Sequence, residues 1–189
     1  FDAHEYLNLA TAEDPRLADK YTGAIGPPVT VEAFRKQLAK ANLSWDWGVA
    51  ILDAGNHLQS IYQKRGLEQA RLDPACDGYI YWTIVDVGCP SAQGLFNQFW
   101  EPKVSTAEFF REFNSPTVIL AKFSPAARIL NTGDKLAIEW WISAFGAKPI
   151  GDKPLTWRLS DGIASGELQT GEIRTGDVKT IGRSPLHIP

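Results

Sequence analysis

The stretch GYIYWTIVDV, residues 78–87, decides how the chain is read. It is apolar on both faces of an extended backbone, the pattern of a strand buried on both sides. Such strands belong to parallel sheets covered by helices. No second stretch of this kind stands out in the first half of the chain, where the remaining signals are helical. VEAFRKQLAKA sets Val31, Phe34, Leu38 and Ala41 on one helical stripe, with Thr30 as its N-cap. NHLQSIYQKRGLEQARL reads as a second helix weakened by Gly66, and the SWDWGVAILDAG segment before it is ambiguous. Residues 1–30 read as irregular, with GPP at 26–28 as a breaker. After the strand come the long loop VGCPSAQGLFNQFWEPK and then STAEFFREF. There Ser105 and Glu108 have the spacing of a capping box, and Phe109, Phe110 and Phe113 form the buried face.

From Ser115 the texture changes. TVILAKF, KLAIEWWISAF, LTWRL and a weaker GELQTGEI are short strand-like runs separated by Gly, Asp and Pro, the signature of an antiparallel β-sandwich. A domain boundary is expected at the NSP of residues 114–116. A single parallel strand cannot satisfy both hydrogen-bonding edges or cover both faces by itself, and an open edge invites aggregation. The neighbours of residues 78–87 are therefore expected upstream, outside these residues. The expected fold is α/β plus all-β, the tail of an α/β barrel at 1–114 followed by a sandwich at 115–189. The alternative is a self-contained α+β fold in which the helices and the sandwich cover the strand locally.

A net charge of −3 over 189 residues offers no basic field to nucleic acid or anionic lipid. No apolar run approaches the roughly 20 residues that span a bilayer. Cys76 and Cys89 flank the apolar segment; eight to ten extended residues reach about 26–33 Å, against the roughly 7 Å between Cα atoms that a disulfide tolerates. Both therefore read as thiols. They have no companion pair for zinc, and His4, His57 and His187 show no metal-binding spacing. G-x-S-x-G, P-loop and G-x-G-x-x-G motifs are missing from the sequence. No metal and no cofactor is expected.

HEYLN near the start, KYTG at 20–23, FRKQL at 34–38, AGNHLQ at 54–59, YQKRGLE at 62–68, GYIYWTIVDV, GLFNQFWEPK and WRLSDGIASGEL follow one another in an order that resembles the C-terminal third of glycoside hydrolase family 2, the β-galactosidase and β-glucuronidase type. The resemblance covers most of the chain. It implies a (β/α)8 TIM barrel with active-site residues at the C-terminal ends of the strands, followed by an immunoglobulin-like β-sandwich. It also implies retaining hydrolysis of terminal β-linked sugars by two carboxylates about 5–5.5 Å apart. The match to the family's nucleophile is Glu5, in His4-Glu5-Tyr6, with Leu7 departing from the family's usual Gly. Trp82 and Asp86 match its Trp-x-x-x-Asp, and Trp82 would form part of the floor under the sugar. Pro102 and Lys103 match its Pro-Lys. The acid/base Glu of the family's Asn-Glu pair has no counterpart here, so the chain is expected to be inactive alone and to work with the upstream barrel half of the same protein.

Elementary chemistry agrees. An oxocarbenium-like transition state needs a carboxylate below the anomeric carbon, and His4 or Tyr6 can orient it. Seven Trp is a high count that suits a sugar enzyme, because an indole face matches the C–H-rich face of a pyranose. The candidate site is Glu5 as nucleophile with His4, Tyr6, Trp82 and Asp86 around the substrate, an oligosaccharide or other glycoside; Trp82 reads equally as a core residue, and Asp86, at the end of its strand, reads first as a cap for the following loop. Trp45, Trp47 and Trp100 read as packing residues, Trp157 as sandwich core, and the adjacent Trp140 and Trp141 point to opposite faces of a strand. Polysaccharide-degrading relatives suggest a periplasmic or extracellular home. The competing expectation is a non-catalytic carbohydrate-binding or interaction protein on the same scaffold.

Overall fold

A computed structural model describes residues 14–22, 29–87, 93–124, 130–159, 162 and 164–188. Among these the elements run as a 3-10 turn Pro15–Lys20, α1 (Val29–Lys40), α2 (Trp45–Leu72), α3 (Ala107–Asn114), β1 (Thr117–Ser124), β2 (Lys135–Ala144), β3 (Pro154–Arg158), β4 (Ser165–Gln169) and β5 (Val178–His187). The chain divides into two compact units, Phe1–Leu67 with Gly78–Phe110 and Glu68–Asp77 with Arg111–Pro189. Among the described residues no helix is long and apolar enough to cross a membrane.

In the first unit α1 buries Val31 and Leu38. It begins at Val29, so Thr30 lies inside its first turn and does not cap it. The ambiguous segment and the helix after it are one element, since α2 runs unbroken for 28 residues. Gly48 admits the α1 side chains: a Cβ there would stand 2.6 Å from Leu38 Cδ1 and 3.1 Å from Phe34 Cε1. The buried face of α2 turns polar at Asn56, Gln59, Ser60 and Gln63, which share one helical stripe by their spacing. Part of that stripe is hydrogen-bonded. Gln63 Nε2 donates to the Tyr81 hydroxyl. The Ser105 hydroxyl donates to Gln63 Oε1 at 2.9 Å and lies 3.1 Å from the Ser60 hydroxyl. Ser105 is thereby committed to α2, and Thr106 caps α3 in its place, its Oγ1 accepting from the Phe109 amide at 3.1 Å.

The expected closing strand does not form. Residues 78–87 form no strand, and their ladder contact with the rest of the described chain is a single parallel bridge, Val85 to Phe96. The segment is not buried on both faces either. Ile80 is 74%, Trp82 56% and Ile84 57% exposed, while Tyr81, Thr83 and Val85 between them are half-buried. Among the described residues the segment has no partner strand: the other elements of this unit there are helices, and a single segment cannot build a ladder alone. The TIM-barrel expectation is therefore corrected: the described residues hold helices and two small antiparallel sheets, and no barrel.

The second unit carries both sheets. One has three strands in the order β1-β2-β5 and the other pairs β3 with β4, all antiparallel. Strand β2 alternates as its period demands: Leu136, Ile138, Ile142 and Ala144 are buried, with Lys135 and Ala137 exposed. Leu136, Ile138 and Leu186 form a cluster with Phe123 and Trp140, and Ile142, Ala144 and Ile173 form another. Each fully buried aliphatic side chain contributes roughly 1.5–3 kcal/mol. On β1, Val118 and Leu120 are buried and Ile119 between them is exposed. The register sets Val118 opposite the buried Ser143, so both faces of this sheet carry buried residues. Arg71 donates to that second face, from Nε to Ser143 Oγ at 2.8 Å and from Nη2 to the Ser143 carbonyl at 3.0 Å.

The expected immunoglobulin-like sandwich is corrected as well. Sheets of three and two strands fall short of the roughly seven that such a sandwich takes. The four strand-like runs read from the sequence correspond to β1 to β4, and β5 (Val178–His187) was not among them. Trp140 and Trp141 flank a register shift in β2. Trp140 stacks on Trp157 with centroids 5.6 Å apart and donates to Ser184 Oγ at 3.0 Å. Trp141 donates to Glu139 Oε2 at 3.0 Å and lies under Lys122. Trp157 is half-buried, its ring pressed on Gly166, where a Cβ would approach Nε1 to 2.7 Å.

Candidate functional site

Residues 78–87 still organise the candidate site, through their two unlike faces. The inward face is pinned. Tyr81 accepts from Gln63 and meets Phe110 edge to face at 6.1 Å. Its phenol is pushed well above the usual tyrosine value by burial, with the Asp86 charge adding to the shift. The segment is then clipped by the returning loop. Asp86 N donates to the Phe96 carbonyl at 2.9 Å, and Phe96 N donates to the Ile84 carbonyl at 3.0 Å. Gly94 is required here, because a Cβ would fall 2.5 Å from Asp86 N and 2.6 Å from the Phe96 carbonyl oxygen.

Asp86 is buried and braces this loop. Its Oδ1 accepts from the Gly94 amide at 2.6 Å and from Lys103 Nζ at 3.4 Å. Burial lowers the Lys103 pKa, and the Asp86 charge holds part of that fall back. Both groups line a cavity of about 230 Å³ together with Arg16, Asp53 and Asn56. Arg16 Nη2 there bridges Asp14 at 2.7 Å and Asp53 at 2.9 Å, and the two carboxylates raise the guanidinium pKa, the Asp14 hydrogen bond most.

The outward face presents Trp82. Its indole is more than half exposed, and its peptide bond to Thr83 is cis. Trp100 is exposed further, at 70%, where the sequence pointed to packing. It sits on a turn with φ of 63°, a region bulky residues rarely take. The turn is held by Asn97, whose Oδ1 accepts from Phe99 N at 2.9 Å and Glu101 N at 3.0 Å and whose Nδ2 donates to Glu101 Oε2 at 2.9 Å. Lys20 pairs with the same carboxylate. The Lys20 bond, then that of Asn97, holds the Glu101 carboxyl below the usual range. Trp47 is also exposed, and Trp45 is half-buried with Arg35 over its ring at 4.5 Å.

Of the residues expected at the site, Trp82 and Asp86 are thus placed by one segment in different roles, Trp82 facing solvent and Asp86 turned into a buried brace. Glu5, His4 and Tyr6 lie outside the described residues, as does Cys89. Among the described residues no group of three His, Cys, Asp or Glu could hold a metal ion. Sequence reasoning missed the polar stripe of α2 and the exposure of Trp100. An N-Q-F-W-E run, with Asn three residues before Trp and Glu one after it, was the available signal for a side-chain-stapled turn. Neither protein-family models nor curated proteins match the chain.

Proposed function

We propose that the chain is part of a retaining glycosidase acting on terminal β-linked sugars, in which Glu5 is the nucleophile and Trp82 lies against the sugar ring. The observation that carries this reading is the presentation of Trp82. Its indole is turned to solvent by a segment whose other face is fixed through Tyr81 and Val85, the arrangement a flat C–H-rich sugar face can use. The ordered sequence motifs support the same reading. His4 and Tyr6, adjacent to Glu5, keep its carboxylate oriented and ionised.

Retention takes two carboxylates in distinct roles. The chain has no Asn-Glu pair, so the general acid/base comes from another part of the same enzyme, and the chain alone does not turn substrate over. No cofactor enters this chemistry. The substrates are glycosides or oligosaccharides ending in a sugar such as galactose or glucuronic acid, met in the periplasm or outside the cell. The test is Glu5→Gln in the intact enzyme, assayed on aryl β-glycosides. Activity at the level of the uncatalysed background supports the reading, and full activity removes Glu5 from the mechanism.

A second reading is favoured by Trp100, an exposed indole on a stapled turn with no carboxylate pair beside it among the described residues. It makes the chain a carbohydrate-binding protein without turnover. Saturable sugar binding by the intact protein with no hydrolysis of any aryl β-glycoside would select it.

A further inference from the structure

Helix α2 is inverted relative to an ordinary surface helix. Its buried stripe is polar, at Asn56, Gln59, Ser60 and Gln63, and its opposite face is apolar and open to solvent. Trp47 is 59%, Ile51 47%, Leu58 37% and Ile61 47% exposed, and Ala54 among them is exposed as well. At about 100° per residue these five side chains share one stripe, opposite Asn56. Single exposed apolar residues are ordinary, but a contiguous row of them marks a surface that binds something.

We infer that this face of α2 binds the same face of a second copy of the chain, the two helices lying antiparallel across a two-fold axis. The spacing selects a helix as the occupant. The steps from Trp47 to Ile61 are 4, 3, 4 and 3 residues, the a and d positions of a heptad, which a second helix fills by knobs-into-holes packing. The stripe is also complementary to itself when reversed. With a layers set against d layers, Ile51 meets Ile61 of the second copy and Ala54 meets Leu58 of the second copy, so the small residue always faces the large one. Charge follows the same register. Trp47 faces Arg65 of the second copy, a cation–π pairing. Asp46, exposed in the first turn of α2, faces the end that carries Lys64 and Arg65, two cations that outweigh the Glu68 carboxylate one turn further on. Parallel pairing reverses each gain: Ala54 on Ala54 leaves a hollow layer, and Arg65 on Arg65 repels. The seam from Trp47 to Arg65 is about 27 Å long, at the small end for specific interfaces, so the dimer dissociates in the micromolar range, on the order of 10 μM. This inference does not rest on the glycosidase reading, since it uses neither Glu5 nor Trp82.

The test is sedimentation equilibrium of the intact protein from about 1 μM to 1 mM. A monomer–dimer equilibrium is expected, and Leu58→Glu is expected to weaken it tenfold or more. The register has its own readout. Asp46→Lys and Arg65→Glu are each expected to weaken the dimer about threefold or more, and the double variant to be tighter than either single one, because the reversed charges face each other again. All three side chains are exposed, so the variants are expected to keep the melting temperature of the wild type; if Leu58→Glu disturbs folding, the charge reversals still read the interface. A monomer at every concentration, the result when another part of the same polypeptide covers this face, would overturn the inference. So would a dimer whose affinity none of these changes alters, or a double variant no tighter than the single ones.

Discussion

Lys103 Nζ stands 3.4 Å from Asp86 Oδ1, with the two side chains 11% and 9% exposed. Removing one partner of a buried ion pair leaves an uncompensated charge and costs about 3–5 kcal/mol. Asp86→Ala is expected to lower the stability of the intact protein by that amount in urea unfolding. Asp86→Asn retains an acceptor for the Gly94 amide and is expected to lose less.

The same pair sets an alkaline pH dependence. Burial lowers the folded pKa of Lys103, so between that value and the unfolded one the unfolded chain binds more protons, and stability rises with pH across that window. Asp86→Asn deletes the charge that opposes the fall and widens the window. Urea midpoints taken from about pH 8 to pH 10 should rise more steeply in the variant than in the wild type.

Arg71 is the other buried cation with much to lose. Besides its two bonds to Ser143 it donates to the Ser115 carbonyl at 3.0 Å and the Pro116 carbonyl at 3.3 Å. Arg71→Leu strands these acceptors and is expected to destabilise by about 3 kcal/mol. Arg71→Lys is expected to recover little, since one ammonium cannot reproduce a planar fork of donors. The urea midpoints of the two variants check this directly.

On the acid side Glu139 and Asp177 titrate below their usual ranges. Glu139 is held by Trp141 and then Arg183, and Asp177 by the Arg174 amide and then Lys179. Depressed carboxylates contribute stability above their unfolded pKa values and lose it as pH falls through the folded ones. Stability should therefore decline as pH drops below about 4.5, and Glu139→Gln should flatten part of that decline. A wild-type and variant series of urea midpoints through the acid range measures it.

The local elements were largely legible in the sequence, and their assembly was not. Val31, Phe34 and Leu38 announced α1 because an apolar stripe at helical spacing reports burial directly. The alternation of Leu136, Ile138 and Ile142 announced β2 for the same reason at period two. The continuity of α2 was hidden, because its buried stripe at Asn56, Gln59, Ser60 and Gln63 is polar and hydrophobic periodicity is silent there. GYIYWTIVDV misled in the opposite sense. Apolar residues on both faces state what a segment would bury, and they carry no information on whether partner strands exist to bury it. Asp86 and Trp82 were singled out together; the place of Asp86 at the end of its segment already pointed to a cap for the following loop, whereas the exposure of the Trp82 indole is legible only in the coordinates.

Trp82 offers a separation of function from folding. An exposed side chain contributes little to stability, so Trp82→Ala should leave the urea midpoint within about 0.5 kcal/mol of wild type. If the indole lies against a sugar, the same change should lower glycoside kcat/KM or affinity by about tenfold or more.

The most direct measurement is covalent trapping. A retaining enzyme forms a glycosyl ester on its nucleophile, and a 2-deoxy-2-fluoro glycoside with a dinitrophenolate leaving group accumulates that ester without needing a general acid. Mass spectrometry of peptides from the intact enzyme, treated with such a reagent, should find the added fluorosugar on Glu5. A label on a different carboxylate, or active enzyme that the reagent never labels, would contradict the account.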